Sequence, residues 1–391
     1  MRSKLLIGSA CLWSIILTTG VRAQPMVLGL EGTLSQGVQI ILIGSSFGAK
    51  AQAAPFRWDD FQNGNPGNLL ADRHEPDGSI WDLQSYDCRR PEYAGEYAYD
   101  SRTNSQVPGQ QRFSGDITAL QNFYSLPDGC GSNRAIAVID EPSRVWYVSF
   151  WAYQDDYAGT ALQCTNNKIH GNFHGSGWTS EFNLRWDEYW NNESGHIFGI
   201  NCNGGAEGGI HNTWGAYEDV RNQWIRVERF LDLGDAGISN GYHAGFTNLL
   251  PRGEYTGLFT PVECESQLIG SFNLGQYFRS GDTEPAALLR HYISELYVDH
   301  SFARVEIGDA PTWNACTHRE IQIPTAWNNN SITVTGNVGT FTSGTQVYLF
   351  VVDENRQPSV GFPVVIGEDN QQGDLGVPGA PGTVTFTQIV D

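Results

Sequence analysis

Apolar and polar residues alternate with a period of two along most of this chain, in short runs set between clusters of Gly, Asn, Asp and Pro. That spacing predicts strands rather than helices, because alternate residues of a strand point to opposite faces. Helical periodicity is confined to a stretch near 284–291, which reads equally well as a strand entry. The segment 144–153 is aromatic on both faces and predicts a buried strand. In 183–189, Leu184 and Trp186 alternate with Arg185 and Tyr189. In 224–231, Ile225, Val227 and Leu231 form one row, while Trp224, Arg226, Glu228 and Phe230 form the other. The late run 292–299 places Leu296 and Val298 opposite Glu295, Tyr297 and Asp299. Lys168, His170, Asn172 and His174 share a period of two and are expected on one face.

The first residues break this pattern. Arg2 and Lys4 precede an apolar stretch from Leu5 to Leu17, and Val21-Arg22-Ala23 stand before Gln24. This order predicts a secretory leader over 1–23, too short for the roughly 20 residues of a membrane span. The expected setting is extracellular, with no membrane span in the mature chain. The formal net charge is −20, and loss of Arg2, Lys4 and Arg22 makes the mature chain more acidic still. Nucleic acid and anionic membrane are poor partners for such a surface, since both demand a basic footprint. After the leader only Lys50 and Lys168 remain as lysines, so arginine carries the positive charge.

Cys11 leaves with the leader. Cys88, Cys130, Cys164, Cys202, Cys264 and Cys316 remain, and an even number in an exported chain predicts three disulfides. Sequence order does not fix the connectivity; pairing of nearest neighbours, 88 with 130, 164 with 202 and 264 with 316, is the working expectation. None of these spacings suits a zinc knuckle.

The dense aromatics and all six cysteines fall within 55–319, which is expected to form one large sandwich. The segments 24–54 and 320–367 each hold too few strands to close a sandwich, for which about seven are usual, so either they are two unrelated appendages or they pair as one discontinuous module. The stretch 37–44 followed by Ser45-Ser46-Phe47-Gly48 resembles the opening of an immunoglobulin-like module of the transcription-factor type. The polar, Gly/Pro-rich tail 368–391 reads as a flexible terminus.

A sheet face bearing Arg, Lys, His, Tyr and Trp over an aliphatic back suits a sugar-binding groove. Aromatic rings stack on pyranose faces, and charged forks hold hydroxyls or carboxylates. The aromatic strand 146–153, Asn183-Leu184-Arg185-Trp186, Trp224-x-Arg226-x-Glu228 and Leu296-Tyr297-Val298-Asp299 together resemble the concanavalin-like lectin and glucanase superfamily, nearest to its β-jelly-roll polysaccharide lyases. The resemblance implies an all-β concanavalin-like β-sandwich (jelly roll) and an extracellular polysaccharide as partner. Arg226-Val227-Glu228-Arg229, Gly209-Ile210-His211 and Gly241-Tyr242-His243-Ala244-Gly245 are similar to the motif strands of the alginate lyases of this fold.

β-Elimination requires a neutralised uronate carboxylate, a base and an acid. Arg185 or Arg226 could neutralise, His211 or His170 could act as base, and Tyr242 or Tyr189 could protonate the leaving oxygen. Lys168, His170, Tyr189, Trp224, Glu228 and His243 complete the expected substrate contacts. Glu181, Asp187 and Glu188 lack the spacing of a retaining glucanase, and no Gly-x-Ser-x-Gly elbow is present. Asp299 and Glu306 are the carboxylates that calcium would use, but without an Asp-x-Asp-x-Asp-Gly loop no metal site is assigned and no cofactor is expected. A lectin or adhesion protein, a glycoside hydrolase and a structural protein of the cell exterior remain alternatives to the lyase.

Overall fold

A computed structural model of the chain describes residues 23–62, 82–87, 101–104, 111–113, 116, 118–124, 130–155, 168–175, 182–191, 195–204, 211–216, 222–260, 262, 269–279 and 288–369. Side chains are described for 23–62, 111–113, 116, 143–153, 222–260, 262 and 292–369.

The strands begin with β1 (Met26–Glu31), β2 (Gln39–Ser45), β3 (Arg57–Asp59), β4 (Asp82–Asp87), β5 (Ser101–Asn104) and β6 (Thr118–Tyr124). Next come β7 (Cys130–Ser143), β8 (Val145–Asp155), β9 (Lys168–Gly175), β10 (Phe182–Asn191), β11 (Gly195–Gly204) and β12 (His211–Ala216). Then follow β13 (Trp224–Asp232), β14 (Ser239–Thr247), β15 (Leu250–Phe259), β16 (Ile269–Arg279) and β17 (Leu288–Asp299). Last are β18 (Arg304–Gly308), β19 (Arg319–Trp327), β20 (Ser331–Thr335), β21 (Gln346–Val352) and β22 (Phe362–Val365).

Two antiparallel sheets make the jelly-roll sandwich. One runs β15-β14-β13-β8-β17-β6-β5, with β3 added beside the far half of β17; the other runs β12-β11-β10-β9-β16-β7-β4. In the first sheet, Arg226 lies opposite Trp151, Glu228 opposite Ser149 and Phe230 opposite Tyr147. Opposed residues share a face, so one face carries these six side chains together with Tyr242, Tyr297 and Asp299. Ile225, Val227, Leu231, Val148 and Phe150 lie on the other face and are fully buried. Glu295 interrupts β17 at a positive φ of 53°, where the register against β8 shifts between Ser294 and Tyr297. Such a bulge re-aims the side chains beyond it.

The chain ends meet in a third sheet, ordered β1-β2-β20-β19-β18-β21-β22. β2 pairs directly with β20, from Gln39 opposite Thr335 to Ile43 opposite Ser331. β19 bends across the module, pairing with β18 through its first half and with β20 through its second. Val27, Leu30, Ile40, Leu42, Val305, Ile307, Ile332, Val334 and Leu349 fill the space enclosed. Phe47 lies in that core with its ring against Gly44, where a Cβ would collide with the ring and with the Met26 carbonyl. Only glycine allows this approach, which gives the Gly44-x-x-Phe47 spacing a physical cause.

The boundary expected at 319 falls inside this sheet. β18 belongs to the terminal module because the alternation of Arg304-Val305-Glu306-Ile307 directs Val305 and Ile307 into the module core.

Candidate functional site

The terminal module covers the polar and aromatic face of β8, β13 and β17. Arg226, read from sequence as a groove residue, is 1% exposed and is held on every side. Its Nη1 lies 2.8 Å from Glu306 Oε2 and donates to the Arg319 carbonyl at 2.7 Å. Nη2 lies 3.3 Å from Glu228 Oε1, and Nε donates to Ser149 Oγ at 3.2 Å. Tyr147 donates its hydroxyl to Glu228 Oε1 at 2.8 Å. Glu306 also receives Arg304 Nε at 2.6 Å and Arg319 Nε at 3.2 Å. Burial alone would raise the Glu306 carboxyl, but Arg226, Arg319 and Arg304 hold it well below the usual carboxylate range. Arg226 is therefore buried against the terminal module and does not line an open groove.

Two further clusters join sandwich and module. Arg112 is paired with Glu295 and with Glu320, each at 2.5 Å, and stacks over Trp151 at 4.6 Å. Glu320 also accepts from His318 at 2.8 Å. Lys50 Nζ lies 2.6 Å from Asp299, which accepts the Tyr297 hydroxyl at 2.6 Å. Asp299 and Glu306, the carboxylates considered for calcium, thus lie against cationic side chains, Lys50 in the first case and three arginines in the second.

These clusters set a pH dependence of stability. Burial raises Glu295 to about 8 against the pull of Arg112, and raises Asp116 to about 6. Groups raised above their ordinary values of 4.5 and 3.8 stabilise the fold at low pH and lose that contribution as pH climbs through about 6 and then about 8. Glu320 behaves oppositely: burial would raise it, but Arg112 and His318 bring it down to about 2. With Glu306 it contributes above 4.5 and loses that contribution as pH falls. The thermal midpoint is expected to peak near pH 5 and to fall toward pH 8. The E295Q variant is expected to flatten that alkaline decline in a calorimetric pH series, and an unchanged slope would overturn the assignment.

Where the module and the sheet diverge, a cleft of about 590 Å³ opens between β13–β15 and the module loops. Tyr242 lies on its wall and donates to Glu254 Oε1 at 3.0 Å. The Arg356 guanidinium sits over the Tyr242 ring at 3.4 Å, and Arg319 sits over Trp313 at 3.5 Å. Phe230 and Phe246 add apolar surface, and Glu228 reaches the cleft from the buried network. Burial raises the Tyr242 phenol to about 12, opposed by the neighbouring Arg356 charge. A phenol between a carboxylate and a guanidinium can give up and recover a proton.

Of the expected site residues, the structure brings Tyr242 and Glu228 together here. Trp224 is half-buried near Tyr153, outside the cleft lining. His243 lies on the opposite face of β14, fully buried beside Arg229, with its basicity pushed well down by burial first and by that charge second. It cannot share a site with Tyr242, the residue before it. Lys168 and His170 on β9, Arg185 and Tyr189 on β10 and His211 on β12 belong to the other sheet, and their side chains lie outside the described ones. The backbone register of β9 shifts against β10 and β16 just after His170.

Cys316 is corrected as well. Its thiol is free and buried, 3.5 Å from the Ala310 and Thr312 carbonyls. The bridge expected from Cys316 to Cys264 is not present in the structure. Cys130 and Cys202 sit on β7 and β11 with undescribed side chains, while Cys88, Cys164 and Cys264 fall outside the described residues.

The sequence reading passed over Arg304, Trp313, Arg319, Arg356 and Glu254. A signal for the first was present: Arg304-Val305-Glu306-Ile307 alternates charged and apolar residues with the same period as Arg226-Val227-Glu228.

No family model matches the chain, and no curated protein matches it in sequence. Among solved structures, the chain is similar to an endo-β-1,4-glucuronan lyase from the fungus Trichoderma reesei, at 12% identity and a TM-score of 0.44, covering 64% of this chain and 97% of that one. It is similar to the alginate lyase vAL-1 from Chlorella virus at 14% identity and a TM-score of 0.40, covering 60% and 99%. A Bacteroides ovatus GH16 protein in complex with a mixed-linkage glucan product overlaps it at 8% identity and a TM-score of 0.38, covering 62% and 99%. No residue role is carried over from these likenesses.

Proposed function

We propose that this chain is an extracellular polysaccharide lyase that cleaves a uronate-containing glycan by β-elimination, with its substrate in the cleft between β13–β15 and the terminal module. The observation that supports this reading is Tyr242, a cleft-wall phenol held between Glu254 and Arg356. In this scheme Tyr242 reacts as the phenolate formed as pH rises through the alkaline range, and the phenolate removes the proton α to the uronate carboxylate. The bond from the β-carbon to the glycosidic oxygen then breaks, and Tyr242 gives its proton to the leaving oxygen. One product carries an unsaturated uronate and the other a new free hydroxyl end. The leader-like segment at 1–23 supports the extracellular setting.

A second reading, non-catalytic glycan binding, is favoured by one feature. Arg304 and Arg319 are already committed to Glu306 and Glu228, and no histidine lines the cleft among the described residues. Incubation of the mature chain with uronic-acid and neutral polysaccharides separates the two. Ultraviolet absorbance from unsaturated uronate, rising with reducing ends and increasing with pH through the alkaline range, is the expected result, since only the phenolate can accept the proton. Reducing ends without absorbance would make the chain a hydrolase, and retention on a glycan column with neither would make it a lectin.

A further inference from the structure

The two walls of the cleft differ in charge. Among the described lining residues, every cationic side chain comes from the terminal module, namely Arg304, Arg319 and Arg356. The sandwich wall supplies the carboxylates Glu228 and Glu254 together with aromatic surface. The three arginines are not equivalent. Arg304 Nε is 2.6 Å from Glu306 and its Nη1 donates to the Phe302 carbonyl at 2.9 Å, so it is neutralised in place. Arg319 is shared between Glu306 at 3.2 Å and Glu228 at 3.6 Å. Among the described residues, Arg356 has a single carboxylate partner, Glu254, at 4.0 Å, and that carboxylate is 55% exposed.

The backbone singles out the same residue. Arg356 sits at a φ of 68°, in the left-handed region that a long side chain rarely adopts. Asp353 holds the turn in place, its Oδ1 accepting from the Asn355 and Gln357 amides at 2.9 and 2.8 Å. The result is a guanidinium with one face on the Tyr242 ring, 36% exposed in the lining of the cleft. A planar fork in that position matches a carboxylate through two parallel hydrogen bonds.

We propose that Arg356 is the carboxylate-recognising residue of the cleft, so that the terminal module, rather than the sandwich, selects acidic over neutral glycans. This assignment rests on the functional reading above.

The test is retardation of the full-length mature chain in native gels containing polyglucuronate, alginate or a neutral mixed-linkage β-glucan. R356Q is expected to weaken binding to both uronate polymers by about tenfold or more, the loss of one charge-assisted fork, with no change on the neutral glucan. R356K retains the charge without the fork and is expected to fall between R356Q and the wild type. Thermal unfolding of both variants is expected to match the wild type, because the side chain is partly exposed. Wild-type affinity of R356Q for the uronate polymers, or an equal loss on the neutral glucan, would overturn this assignment alone. Failure of the wild-type chain to bind any uronate polymer would overturn the functional reading and this assignment with it.

Discussion

The E306A variant is expected to lose about 3–5 kcal/mol of folding stability, the usual result of removing one partner from a buried ion pair. Glu306 is fully buried and receives Arg226, Arg304 and Arg319. Without it, three guanidiniums, each 7% exposed or less, share Glu228 alone, and the desolvation cost of the surplus charge goes unanswered. Chemical denaturation monitored by tryptophan fluorescence reads the effect as a lowered midpoint. A double variant, E306M with R226M, removes charge from both sides and is expected to be less damaged than E306A, because an apolar pair of similar volume avoids that desolvation cost. If E306A stays within about 1 kcal/mol of the wild type, the network does not hold the two units together and this account of the interface fails.

The second large effect concerns turnover. Y242F retains the ring beneath Arg356 and removes only the hydroxyl that donates to Glu254. Its stability is expected to drop by only about 0.5–1.5 kcal/mol, the net worth of one hydrogen bond. Turnover on a uronate polymer is expected to fall by about 10²–10⁴, the range for loss of a proton-transfer group, with glycan binding retained. Undiminished turnover in Y242F would remove the phenol from the chemistry.

Much of this architecture was legible from period-two alternation. Ile225, Val227 and Leu231 read as one row and Trp224, Arg226, Glu228 and Phe230 as the other, and the register with β8 agrees. Alternation assigns residues to faces but does not say what covers a face. Arg226 and Glu228 looked like an open groove because polar residues usually mark solvent. Here they meet Arg304, Glu306 and Arg319, strands of matching charge that arrive more than seventy positions later. The same limit applies to the site. Tyr242 was identifiable from its strand, but Arg356 acts through a turn conformation and a long-range approach, neither of which leaves a periodic trace. His243 was misplaced because neighbours in a strand point apart, and a motif likeness read along the chain ignores that.

The pairing of β2 with β20 has a consequence for how the chain is made. The partners Gln39 and Thr335 are separated by 296 residues, or roughly 15–60 s of synthesis at about 5–20 residues per second. Throughout that interval the first hairpin, with Ile40 and Leu42 facing outward from an incomplete core, presents an unpaired strand edge to whatever surrounds the nascent chain. The last strands to emerge therefore close the first, and a polypeptide interrupted before Ser331 would carry an adhesive hairpin with nothing of its own to cover it.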